Sequence, residues 1–378
     1  MDVPTVLAML RSESDELAPL FYTMEDQWER KLWHQLTLSL TEFYANDLSA
    51  PLRLRVYTQF ISTFETKINQ LSLVTFALAS AQQCADSSEA LGFLETISDK
   101  VNTPETQDAY VYSQVEIARV KLVLEDYKGA RELLDKAQKT LDNVDRVEPA
   151  INAAFYDVNS EYYKLKADFT TFYKNALLFL ACIDLDRVPI YKQQQRAYDL
   201  AIAALLGDEI YNFGELLLHP ILEAVKNTEY SWLVDLLFAL NAGDVNGFEA
   251  ATGHISKSPL LQNSLPFLRQ KMCLTALIEA VFRRPTSSRT LTFEQIARET
   301  QLVVDEVEHL VMKALSSGLL KGFIDQVSQK VTVTWLQPRV MNKQQIESMR
   351  QRLVKWDNDV ESLGDWMQQE GKQIWTGA

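Results

Sequence analysis

From Met24 to Leu261, apolar side chains recur at steps of three and four with hardly a break. That one feature confines most of the chain to helices packed on helices. Trp28, Leu32, Trp33, Leu36, Leu40 and Phe43 read as one amphipathic helix. Leu54, Tyr57, Phe60, Ile61, Phe64 and Ile68 read as a second, beginning after Pro51. Two more are expected over 71–84 and 88–100. Breakers are scarce: 12 Gly and 11 Pro in 378 residues leave few places to stop a helix. No run of about 18 uncharged apolar residues exists, so no membrane span is expected. The first twenty residues hold Asp2, Glu13, Asp15 and Glu16, and lack the basic start and continuous apolar stretch of a secretory leader.

A repeat emerges further on. In Ala118-Arg-Val-Lys-Leu-Val-Leu-Glu-Asp-Tyr127-Lys-Gly-Ala130, small residues stand where two helices must approach closely. Asp126-Tyr127 marks the turn, and Ala130, Leu134 and Ala137 share a face of the following helix. This is similar to the tetratricopeptide pattern. A related unit lies 42 residues on, at Tyr162-Tyr163-Lys-Leu-Lys-Ala-Asp168-Phe169, followed by Ala176 and Leu180. Weaker echoes occur at Tyr211-Asn-Phe213-Gly-Glu and at Ala242-Gly243-Asp244 with Phe248. A helical hairpin cannot bury its apolar face alone, so such units stack into a solenoid. The spacing drifts, which makes the array irregular; a plain helical bundle is the alternative. Tyr110, Tyr112, Phe155, Tyr156 and Tyr198 read as packing between repeats, and Gly243, Gly247 and Gly253 as turn residues.

After Pro266 the pattern changes. Phe267, Leu268, Met272, Leu274, Leu277, Ile278, Val281 and Phe282 predict a long helix, closed by Arg283-Arg284-Pro285 and a polar loop over 286–289. Thr292-Phe-Glu-Gln295 reads as a capping box opening a short helix. A tight turn at 300–302 leads to a helix with Val307, Leu310, Val311, Ala314 and Leu315 on one face, stopped by Gly318. Residues 319–325 and 331–336 form the one good strand pair, with Val331, Val333 and Trp335 alternating. Helix, short helix, turn, helix and hairpin is the order of a winged helix. Beyond Pro338, residues 342–373 carry Ile346, Met349, Leu353, Trp356, Val360, Leu363 and Met367 at alternating steps of three and four. Trp366 widens that stripe. This is a heptad seam, which needs a partner surface.

Chemistry is thinly provided for. His34, His219, His254 and His309 are widely separated, and no Cys or His pair has metal-ligand spacing. Cys84, Cys182 and Cys273 lie far apart without neighbouring cations, so they read as reduced core thiols. No Gly-x-x-x-x-Gly-Lys loop or Gly-x-Ser-x-Gly turn occurs. No catalytic residue, cofactor or metal is expected. The net charge is −14. Residues 284–378 hold 12 of the 37 basic and 12 of the 51 acidic side chains, so the first 283 carry the whole excess, 25 against 39. Winged helices commonly read DNA with their second helix, but here that helix opens with Asp305, Glu306 and Glu308. Neither nucleic acid nor membrane is an expected partner.

A helical-repeat array running into a winged helix resembles the PCI family, named for the proteasome lid, the signalosome and a translation initiation factor. Three stretches carry the likeness to its proteasome-lid branch: Leu291-Thr-Phe-Glu-Gln-Ile-Ala297; Asp305-Glu-Val-Glu-His-Leu-Val-Met-Lys-Ala-Leu315; and Gly318-Leu-Leu-Lys-Gly322, through Ile324-Asp325, to Val333-Thr-Trp-Leu-Gln-Pro-Arg-Val340. The likeness is densest over 265–342. It implies an all-α chain with a small β hairpin, in three parts: a tetratricopeptide-like solenoid arm over 1–265, the winged helix of a PCI domain over 266–340, and a C-terminal amphipathic bundle helix over 341–378. It implies a non-catalytic scaffold of the proteasome regulatory lid, supporting lid assembly and ubiquitin-dependent degradation in cytoplasm and nucleus. The implied partners are other PCI subunits, met through the winged helix and a shared bundle of C-terminal helices, with a ubiquitin receptor as a candidate for the repeat arm. The residues expected at these contacts are Ile346, Met349, Leu353, Trp356, Val360, Leu363 and Met367 on the seam, with Leu319, Lys321 and Phe323 on the winged helix. Leu319, Lys321, Phe323, Val333 and Trp335 divide between that domain's core and its edge, with the core favoured for Val333 and Trp335.

Overall fold

The structure, a computed structural model, describes residues 3–84, 86–143, 147–226, 228–255, 258–285, 288–341 and 343–375. Thr286, Ser287 and Asn342, which the sequence reading places in a loop and at the start of the last helix, lie outside them. The chain divides into two compact units, 1–187 and 188–378. That division falls inside the stretch read from sequence as the repeat arm.

The described residues of the first unit form ten α-helices: α1 (Val3–Glu13), α2 (Ala18–Glu29), α3 (Trp33–Ala45), α4 (Arg53–Gln59), α5 (Gln70–Ala81), α6 (Ser87–Val101), α7 (Gln107–Val123), α8 (Tyr127–Leu141), α9 (Pro149–Leu165) and α10 (Phe169–Cys182). The Trp28–Phe43 periodicity, read as one helix, is two. Lys31 takes a left-handed φ of 56°, and the Leu32 N–H donates back to the Gln27 carbonyl at 2.9 Å, closing α2. Folding back brings the Phe21 ring to 5.5 Å from Phe43, whereas a straight rod would leave both uncovered. The second expected helix is also shorter. It stops at Gln59 and continues as 3-10 turns that bury Phe60, Ile61 and Phe64.

The repeat signature holds in detail. Glu125 and Ala167 both take left-handed φ, 62° and 57°. Behind them Asp126 and Asp168 cap α8 and α10 by accepting the N–H of Gly129 and Thr171. Ala118, Ala130 and Ala137 are buried where helices approach, against Val115, Leu134, Phe155 and Tyr162. An ion pair at 3.1 Å joins Arg119 of α7 to Asp157 of α9. Burial raises the pKa of the neighbouring Glu116, with Arg119 opposing that shift.

The second unit begins with α11 (Ile190–Leu206), α12 (Gly214–Leu218), α13 (Glu223–Lys226), α14 (Ser231–Ala242), α15 (Val245–Ile255), α16 (Pro259–Asn263) and α17 (Leu265–Phe282). Gly243 ends α14 in a left-handed conformation, φ 68°, as a turn residue should. Gly247 and Gly253, expected in turns, lie inside α15. Lys271 is 1% exposed. Its Nζ donates to the carbonyls of Ala204, Leu205 and Gly207 at 2.8, 3.1 and 2.7 Å. It therefore satisfies the open carbonyl end of α11 and ties α17 to it. The rings of Tyr211, Phe213 and Phe267 surround the amine at 5.6, 5.3 and 5.7 Å. Burial draws its pKa down to about 7, with Asp208 pulling the other way.

The winged helix follows as β1 (Thr290–Thr292), α18 (Phe293–Thr300), α19 (Val304–Ser316), β2 (Leu320–Asp325) and β3 (Lys330–Leu336). The expected hairpin is a three-stranded antiparallel sheet in the order β1-β3-β2. β1 has three residues and a single buried side chain, Leu291, opposite Val331, too little pattern to announce a strand. The capping box is present in both directions, between Thr292 and Gln295. Leu277, Val281, Leu291, Ile296, Val307, Val311, Leu320, Val331 and Val333 fill the core beneath the sheet. The chain ends in α20 (Lys343–Trp375), 33 residues long.

Replacing Lys271 by Met is expected to destabilise the second unit by about 1–3 kcal/mol, because buried carbonyls lose their donor. The amine also predicts a pH dependence. Its folded pKa lies below its unfolded one, so between about pH 7 and the ordinary lysine value near 10.5 the unfolded chain binds more protons. The stability difference between wild type and Lys271→Met should therefore shift in favour of wild type as pH rises through that window. Denaturant titrations of both proteins at several pH values check the size and the sign.

Candidate assembly surfaces

The residues singled out from sequence fall into three environments. Leu319 and Val333 are core residues, 2% and 4% exposed, held among the side chains beneath the sheet. Leu319 therefore has no surface to offer a partner. Trp335, expected in the core, is 40% exposed. The reason is a register shift between Lys321 and Gly322, which puts Trp335 opposite Lys321 on the outer face. Gly322 is required at that irregularity, since a Cβ there would strike the Thr332 carbonyl. Lys321 lays its Nζ 5.1 Å from the Trp335 ring centre, and Phe323 stands beside them, 59% exposed. β2 pairs on one side only, so this partly apolar face borders an open sheet edge.

The seam is a surface along its whole length. Ile346, Met349, Leu353, Trp356, Val360, Leu363 and Met367 are between 43% and 65% exposed. Nothing in the described part of the chain covers them. On the flank, Glu347 accepts two hydrogen bonds from Arg350, at 2.7 and 2.9 Å.

The root of this helix is held by residues that sequence reasoning missed. The side chain of Arg339, just before α20, is 8% exposed. It pairs with Glu279 of α17 at 2.7 Å and donates to the Asn241 carbonyl, at the end of α14, at 2.9 Å. Glu279 also takes Arg283 at 3.2 Å. Next along, Val340 packs so tightly on the start of α12 that a Cβ on Gly214 would lie 2.6 Å from its own. Partners 60 and 98 residues away leave no signal near Arg339 in the sequence.

Among the described residues, no three His, Cys, Asp or Glu side chains stand close enough to hold a metal ion. The Cys84, Cys182 and Cys273 thiols are free and half-buried, and desolvation pushes all three pKa values up, away from thiolate. His219 accepts the Ile221 N–H through Nδ1 at 3.2 Å, capping a turn, and burial lowers its pKa. On the winged helix, Asp305 and Glu306 sit in the first turn of α19, where they suit the helix dipole and repel a phosphate backbone.

A solenoid of helical hairpins, a three-stranded winged helix and a free C-terminal helix define a PCI-class subunit. Three family models match the chain: PSD13 N-terminal repeats over residues 20–237, the PCI domain over 250–335, and the Rpn9 C-terminal helix over 339–371. The chain belongs to the Rpn9 family, that of 26S proteasome non-ATPase regulatory subunit 13. It is 46% identical to a probable 26S proteasome regulatory subunit rpn9 of Schizosaccharomyces pombe, over 95% of this chain and 94% of that one. It is 45% identical to the 26S proteasome regulatory subunit RPN9 of Saccharomyces cerevisiae, over 99% and 98%. It is 38% identical to 26S proteasome non-ATPase regulatory subunit 13 homolog B of Arabidopsis thaliana, over 91% and 92%.

Arg339→Ala is expected to cost the second unit about 2–3 kcal/mol, short of a fully orphaned buried charge because Arg283 still faces Glu279. Arg339→Lys should recover only part, since an ammonium cannot span Glu279 and Asn241 as the guanidinium fork does. Hydrogen exchange around 339–348 and a denaturant titration of each variant measure both effects.

Proposed function

We propose that this chain is a non-catalytic scaffold subunit of the 26S proteasome regulatory lid, and that it joins the lid chiefly through the seam of α20. The single observation that carries the reading is an apolar stripe on a 33-residue helix with every member exposed. Water tolerates scattered apolar residues, but a continuous heptad seam of this length marks an interface. Other PCI subunits supply the matching surface with their own C-terminal helices. The β2 edge with Lys321, Phe323 and Trp335 is a second contact for a neighbouring PCI domain. In this division of labour 1–265 is the arm, 266–340 the winged helix and 341–378 the bundle helix. The arm carries the chain's negative excess and is free for a further partner, for which a ubiquitin receptor is the candidate. The protein works where proteasomes do, in cytoplasm and nucleus.

Each fully buried apolar side chain contributes on the order of 1.5–3 kcal/mol, so losing two weakens association by roughly 3 kcal/mol or more, about a hundredfold. The double variant Leu353→Asp, Val360→Asp should keep the thermal transition of the isolated chain, because both side chains already face water. It should fail to co-purify with the other lid subunits when expressed as the tagged chain. Normal incorporation would move the principal contact to the winged helix; collapse of the isolated fold would mean that α20 packs within its own chain.

A further inference from the structure

Beside the root of α20 lies a groove that neither the seam nor the sheet edge uses. Leu217, Leu218, Phe238, Phe282, Val340 and Met341 give it an apolar floor and wall. Leu218 and Phe238 are 64% and 49% exposed, an adjacent apolar pair of the kind that marks an interaction site. The open volume is about 730 Å³, within the span of roughly 300–1,000 Å³ usual for ligand sites.

Its charge runs against that of the chain. Arg283 and Arg352 line the groove and Arg339 lies beneath it, while Glu279 is the sole carboxylate among the described residues lining it. Both oxygens of Glu279 are already engaged, by Arg283 and Arg339. Two guanidinium groups, those of Arg283 and Arg352, line the groove beside one committed carboxylate, in a protein of net charge −14. The walls are mostly helices α12, α14, α17 and α20, joined by Pro285, Val340 and Met341 between elements, and no strand lines the groove, so it presents no sheet edge to an extended segment. Its occupant must bind through side chains, as an amphipathic helix does with anchors at i and i+3 or i+4.

We propose that this groove docks an acidic amphipathic helix of another protein, its apolar face on Leu218 and Phe238 and its carboxylates on Arg283 and Arg352. Electrostatic complementarity then sets orientation and rejects basic helices. α20 contributes Ser348 and Arg352 to the groove and none of its seam residues, so occupying the groove leaves the seam uncovered.

The test is photo-crosslinking of the full-length chain in cells, with p-benzoylphenylalanine in place of Phe238 and, as a control, in place of Leu353. The expected product at 238 is a crosslink to a segment of another protein with Asp or Glu on one helical face and apolar residues on the other. The Arg352→Glu variant, which leaves the Glu279 pairs intact, should reduce that product at least tenfold and leave the Leu353 product unchanged. A 238 crosslink to a basic or uncharged segment, to a second copy of this chain, or to nothing while 353 reacts would overturn the proposal. So would an acidic crosslink indifferent to the Arg352 reversal. Because the two positions are read separately, failure of the seam's role would appear at 353 alone.

Discussion

The structure turns on a helix whose apolar seam no described part of the chain covers. An isolated helix in water is marginal unless something packs against it, yet α20 runs for 33 residues with its seven seam side chains in solvent. The free energy of burying them is not collected within the described chain. A seam of this kind serves an interface only if its base is fixed.

That base is the Arg339 cluster. Glu279 and Asn241 receive the guanidinium from two helices, and Gly214 admits Val340 at a distance no side chain would allow. Removing one partner of a buried pair is far more damaging than never having had it, so the cluster sets the position where α20 leaves the body. Lys271 works in the same unit by different means. It offers three donors to the open end of α11, where a helix otherwise leaves carbonyls bare. Both cations act as pins between helices, and both are invisible to periodicity.

What could be read in advance follows the range of the interactions. Local signals were reliable: the Thr292–Gln295 capping box, the left-handed stop at Gly318, the paired aspartate turns before α8 and α10, and the heptad seam all depend on residues within a turn or two. Errors arose where distant packing overrode local pattern. Trp28 and Phe43 share a periodicity, but the packing of Phe21 against Phe43 goes with a helix break at Lys31. Trp335 alternates with Val331 and Val333, yet one register shift at Gly322 turns it outward. Leu319 looked like a surface candidate because sequence cannot show that the α19 turn drives it into the core. Arg339 stood in plain view after Pro338, without any nearby residue to betray its partners.

If α20 is bare in the free chain and covered in the assembled lid, hydrogen–deuterium exchange over residues 346–367 separates the isolated protein from the purified lid. Exchange should be rapid in the free chain and strongly slowed in the lid, with α7 and α9 of the first unit protected in both. Equal protection of 346–367 in the two states would show that the seam is no interface.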